Sequence, residues 1–185
     1  LKKELGIRPE REAEFDIFFN QHVNEVCLGR DIETLLPLIK QKFGSQLPSS
    51  YSLLIDGFVN RFAANKSIWP VIKEIYKGCK AGLLTGLYPK MLPAIKKRGI
   101  LPEVKWEVII DSSVVHLMKP DLSIYKLAEK MAAAKGKEIL FVENSLEHLE
   151  AAKALDWQTF LYDPGDPSRS SRKLLEFYNQ LTTSN

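Results

Sequence analysis

The sequence predicts an α/β fold: a parallel sheet with helices on both faces over residues 67–182, joined to a small helical lobe over residues 8–64. Three observations carry this prediction. From Ile68 onward, short apolar runs suited to buried strands alternate with stretches of helical periodicity, the pattern of a parallel sheet with crossover helices. Before Ile68 the apolar residues recur only at helical spacing. Finally, Ile139-Leu-Phe-Val-Glu-Asn-Ser145, the helical stretch Leu146 to Leu155 and the run Gln158-Thr-Phe-Leu-Tyr162 read as one strand–turn–helix–strand unit.

In the helical lobe, Phe15, Phe18, Phe19, His22 and Val26 line one helix face, with Pro9 placed to start the helix. Ile32, Leu35, Leu36 and Ile39 repeat the spacing, and Pro37 must kink or restart their helix. A third amphipathic helix is expected from Tyr51, Leu54, Ile55, Phe58 and Phe62, after the start signal Pro48-Ser49-Ser50. Such faces need each other or a neighbouring lobe to be buried. Ile68, Val71, Ile72 and Ile75 then make a helix that stops at Lys77-Gly78. Ala81-Gly-Leu-Leu84 is a short strand ending in Thr85-Gly86, and a helix from about Pro89 to Arg98 ends at Gly99. Glu107-Val-Ile-Ile110 is the next strand, followed by the polar Asp111-Ser112-Ser113. Lys119-Pro120-Asp121 precedes a helix with Ile124, Leu127, Ala128 and Met131 on one face. After the strand–helix–strand unit, Asp163 to Pro167 form a loop, and Leu174, Leu175, Tyr178 and Leu181 mark a closing helix.

With 185 residues the chain can bury one good core and a small second lobe. Its 45% apolar and 26% charged residues are those of a soluble globular protein. The net charge of +3 is slight, and the densest basic run, Lys96-Lys97-Arg98, falls where a helix should end. Cations there complement the helix dipole, so no nucleic-acid partner is expected. No apolar run approaches the ~18 residues of a membrane span and no signal peptide is visible, so a cytoplasmic protein without membrane attachment is expected. Cys27 and Cys79 share no metal-type spacing and read as free thiols, and His22, His116 and His148 form no spaced cluster for zinc.

Three polar signals stand at strand ends or helix starts on what should be one rim of the sheet: Thr85, Lys119 and the pair Glu143-Asn144. A hydroxyl, a fixed ammonium and oxygen donors for a hard cation are what a phosphoryl group requires. Thr85 can donate to a phosphoryl oxygen, Lys119 can neutralise charge, and Glu143 with Asn144 can hold Mg²⁺ through oxygen. Pro120 keeps Lys119 out of the helical conformation, so its side chain leaves an extended segment just before a helix.

Gly82-Leu-Leu-Thr-Gly86, Lys119-Pro-Asp-Leu-Ser-Ile-Tyr125 and Ile139-Leu-Phe-Val-Glu-Asn-Ser145 resemble, in order and spacing, the second, third and fourth motifs of the haloacid dehalogenase-like (HAD) superfamily. The resemblance covers residues 68–162, and the preceding helical region is similar to the cap that many members insert after their first motif. It implies a Rossmann-like core, Mg²⁺, and hydrolysis of a small phosphorylated substrate through an aspartyl-phosphate. A minority of the superfamily displaces halide from 2-haloacids without metal. By the same resemblance Thr85 and Lys119 would be catalytic, Thr85, Gly86 and Lys119 substrate-binding, and Glu143 and Asn144 metal ligands.

Two departures shape the expectation. The first motif, an apolar strand ending in Asp-x-Asp that supplies the nucleophile, is not found, and Asn144 stands where a second carboxylate is common. Leu53-Leu-Ile-Asp-Gly-Phe-Val59 places Asp56 after an apolar run, but its spacing is helical and it lacks the second acid. The chain begins at Leu1, so the nucleophile is expected upstream and residues 1–185 alone are expected not to turn over. In the superfamily's sheet the first-motif strand lies between the strands ending here at Thr85 and Glu143. Without it those neighbours would stand about 9.5 Å apart or close up and pair directly. A degenerate, ligand-binding member is the alternative to an enzyme. Substrate identity and oligomeric state are not readable.

Overall fold

The computed structural model describes residues 1–183. In chain order its regular elements begin with α1 (Glu12–Cys27), α2 (Leu35–Phe43), α3 (Ile68–Ile75), β1 (Ala81–Thr85), α4 (Met91–Lys97) and β2 (Trp106–Asp111). They continue with α5 (Ser112–Val115), α6 (Leu122–Ala132), β3 (Leu140–Glu143), α7 (Leu146–Lys153), β4 (Gln158–Leu161) and α8 (Pro167–Thr183). Two compact units alternate along the sequence. The first comprises Leu1–Ala63, Thr85–Ile100 and Asp111–His116; the second comprises Ala64–Leu84, Leu101–Ile110 and the chain from Leu117.

In the first unit the aromatic residues of α1 do the packing. Phe15 and Phe18 both meet Phe43 at the end of α2 edge-on, with ring centroids 5.5 and 5.7 Å apart. Pro37 falls in the first turn of α2, where its missing N–H would have had no helical partner, so the helix restarts at Leu35 and is not kinked by it. Gly44 closes α2 at φ 70°, a conformation that only a residue without Cβ adopts freely. The expected third helix is not an α-helix. Val59 and Asn60 bond five residues back, to Leu54 and Ile55, and Gly57 likewise reaches Ser52. The start of the segment is held from outside: the Glu33 carboxylate accepts from the Ser52 hydroxyl and from the N–H groups of Leu53 and Leu54. That contact between segments is one that apolar spacing does not encode. Asp56 is spent locally, accepting from the Ser52 N–H and the Asn60 amide. Arg98, at the end of α4, donates to the carbonyls of Val59 and Phe62, which gives the basic run a structural role.

In the second unit β3 and β4 pair in parallel, Leu140 opposite Gln158 through Glu143 opposite Leu161, with α7 as the crossover. The core beneath them is aromatic: Tyr125, Phe141 and Trp157 meet edge-to-face with centroids 5.4–5.9 Å apart. The Trp157 indole N–H donates to Glu129 at 3.0 Å, so the buried ring leaves no polar group unpaired. β1 pairs with β2, and Glu107 of β2 accepts from the Tyr76 hydroxyl and the Ala81 N–H. The architecture is the expected α/β one, but its sheet is not continuous. Among the described residues the strands form two separate two-stranded sheets, β1–β2 and β3–β4. The closing-up that would pair β1 directly with β3 has not occurred.

Candidate active site

β3 is a buried apolar run that ends in an acid, and the acid turns back on its own helix. Glu143 Oε1 accepts the N–H groups of Asn144 and Ser145 at 2.7 and 3.3 Å. Ser145 takes the extended conformation of a helix cap, yet its side chain makes no cap bond. Glu143 thus holds the two residues of the turn that leads into α7.

The other oxygen, Oε2, accepts a hydrogen bond from the Lys119 ammonium. The Lys119–Pro120 peptide is cis, and Asp121 caps α6 by accepting the Ser123 N–H at 2.8 Å. The lysine therefore leaves the chain two residues before an anchored helix start. Its ammonium also lies 5.6 Å from the centre of the Phe141 ring, within cation–π reach. The Lys119 and Glu143 side chains are only 10% and 11% exposed. A buried ion pair holds only when its remaining polar atoms are also bonded, and here both carboxylate oxygens are. Burial pushes the Glu143 carboxyl up. The Lys119 hydrogen bond and charge, the Asn144 N–H and the His148 charge outweigh it, and the group sits below the usual carboxylate range.

A third side chain joins the pair. His148 Nδ1 lies 3.4 Å from the same Glu143 Oε2. In sequence His148 shares no spacing with His22 or His116 and carries no motif signal. The signal that finds it is its place five residues past the strand end and three past Ser145, where the first turn of a helix comes back over the strand.

Lys119, Glu143 and Asn144 belong to the second unit, whereas Thr85 and Gly86 belong to the first. Thr85 is the half-buried last residue of β1, and the Gly86 carbonyl faces the Cys27 thiol at 3.9 Å. Burial, with the Asp111 charge, pushes that thiol up, which disfavours the reactive thiolate.

The donors around Glu143 do not by themselves fit Mg²⁺. One carboxylate oxygen is taken by Lys119 and the other by backbone N–H groups, while the exposed Asn144 offers a neutral amide. Among the described residues, no three His, Cys, Asp or Glu side chains gather as a metal would require. Likewise, no helix there is long and apolar enough to cross a membrane.

The fold has solved counterparts. The HAD family enzyme BT-2542 from Bacteroides thetaiotaomicron superposes with a TM-score of 0.69 at 14% identity, over 84% of this chain and 80% of its own. A variant of that enzyme with one aspartate changed to alanine, in complex with magnesium and inorganic phosphate, gives 0.64 at 19% identity, over 89% and 83%. The L-2-haloacid dehalogenase PA0810 gives 0.64 at 15% identity, over 84% and 72%. At these identities the likeness is one of fold. No curated protein sequence matches significantly. The model of the haloacid dehalogenase-like hydrolases matches residues 63–156, half of the sequence, including β1, the Lys119 segment and β3 with Glu143. The chain belongs to the haloacid dehalogenase-like hydrolase family.

Proposed function

We propose that this chain carries the charge-stabilising half of a phosphoester hydrolase acting on a small phosphorylated metabolite. The observation that supports the reading is the buried Lys119–Glu143 pair at the carboxyl end of β3. A lysine fixed in a water-poor site can neutralise phosphoryl oxygens without reorganising as the reaction proceeds. Glu143, held ionised, sets where that ammonium points. Thr85 enters as a hydroxyl donor and Gly86 as adjacent backbone, both on the strength of their motif after β1. The reaction needs a carboxylate to attack phosphorus while the bond to the leaving alcohol breaks, and a water then to release phosphate. No described residue is assigned as that nucleophile. No step is assigned to Mg²⁺, since Glu143 and Asn144 alone do not complete its shell.

The testing experiment takes protein made from the complete coding sequence and measures phosphate release across a panel of sugar phosphates, nucleotides and phosphorylated acids. Chelator is added in parallel, and a Mg²⁺-dependent enzyme then loses turnover. Release that disappears in Lys119→Met supports the proposal. Absence of release across the panel, with binding of a phosphorylated ligand retained, assigns the chain to the degenerate class. Halide release from 2-chloropropionate without metal assigns it to the dehalogenases.

A further inference from the structure

His148 has no place in the function proposed above, yet its environment is specific. Nδ1 is shielded from solvent, has no hydrogen-bond partner, and stands 3.4 Å from Glu143 Oε2. Shielding an imidazole nitrogen without a hydrogen bond is unfavourable, so the position calls for an explanation. Nor is the ring there by slack in the chain. The His148 carbonyl accepts from the Tyr125 hydroxyl at 2.9 Å, and Tyr125 is fully buried against Phe141 and Trp157. Leu149, the next residue of α7, is buried as well. Two core contacts therefore hold the first turn of α7 in the rotation that aims His148 at the carboxylate.

The carboxylate is surrounded as a result. Oε1 takes the Asn144 and Ser145 N–H groups, and Oε2 lies between the Lys119 ammonium and His148 Nδ1. We infer that His148 is a positioning residue: by flanking Oε2 it stops the Glu143 carboxylate from turning and so fixes the direction of the Lys119 ammonium. Its importance for turnover rests on the proposed phosphoester hydrolysis, but the geometric claim does not.

The test needs no substrate. The side-chain ammonium of a buried, paired lysine gives an observable ¹H–¹⁵N NMR cross-peak, whereas a lysine free to rotate in water loses it to exchange. His148→Phe keeps the ring and removes the nitrogens; His148→Asn keeps a short polar group. The expected result is loss of the Lys119 cross-peak in His148→Phe and its retention in His148→Asn, with the amide spectrum of β3 unchanged in both. A Lys119 cross-peak that persists in a folded His148→Phe overturns the inference. So does equal loss in both variants, because the polar group kept in His148→Asn then fails to hold the pair. Should His148→Phe fail to fold, His148→Ala takes its place: a cross-peak lost in His148→Ala and kept in His148→Asn supports the inference, and one kept in His148→Ala overturns it. Because the readout is made without turnover, a protein that hydrolyses nothing can still pass it, and an active one can still fail it.

Discussion

Lys119 and Glu143 test the account at the scale of single residues. Each is the other's main compensation in a poorly hydrated place, so removing one leaves a buried charge alone. Lys119→Met should destabilise the fold by about 3–5 kcal/mol in denaturant unfolding, and the double change Lys119→Met with Glu143→Leu by clearly less. Equal losses from the single and double changes would mean that the two do not compensate one another. Acid should act through the same carboxylate. Its folded pKa is depressed, so as pH falls the unfolded chain takes up the proton first, near the ordinary glutamate value of about 4.3. The stabilisation is therefore complete above that pH and is lost on descending through the folded pKa. The stability gap between wild type and Glu143→Gln should narrow below about pH 4.3 and stay constant above it, as unfolding followed across that range would report. His148 illustrates what a linear reading misses. Glu143 is visible as an acid ending an apolar strand, but a histidine five positions later acquires meaning only once the helix start between them is fixed.

At the scale of elements, caps explain both what was legible and what was not. Asp121 and the Lys119-Pro120 step announce α6 in the sequence, and the side chain caps the helix as that pattern implies. Asp121→Ala should cost about 1 kcal/mol, measurable as a lowered denaturant midpoint, and should loosen the segment that presents Lys119. The 52–60 segment went the other way. Tyr51, Leu54, Ile55, Phe58 and Phe62 are spaced for an α-helix, but the segment bonds five residues back, and Glu33, some twenty residues earlier, takes the donors at its start. Glu33→Ala should cost about 2 kcal/mol or more by leaving those donors unbonded, whereas Glu33→Gln should recover part of it. If Glu33→Ala unfolds at the wild-type denaturant concentration, the Glu33 bonds do not stabilise this segment. No local pattern reveals a cap supplied from another element.

The alternation of strands and helices after Ile68 was enough to identify an α/β molecule, because the period of apolar residues is a local property. Which strands share a ladder is not local. β1 with β2 and β3 with β4 form separate sheets among the described residues, and that pairing depends on which backbone edges find partners at about 4.8 Å. The family motifs were legible because each is a short run at a strand end or a helix start, and Ile139 to Leu146 joins the two within a few residues. The proposed chemistry gathers at one such junction, where Lys119 meets Glu143. Its most direct test is steady-state phosphate release by protein from the complete coding sequence, comparing wild type with Lys119→Met at matched folded fraction. The account predicts a loss of roughly 100-fold or more in kcat, the scale for removing one preorganised charge-stabilising group. Turnover within about twofold of wild type would contradict it, being far smaller than such a loss.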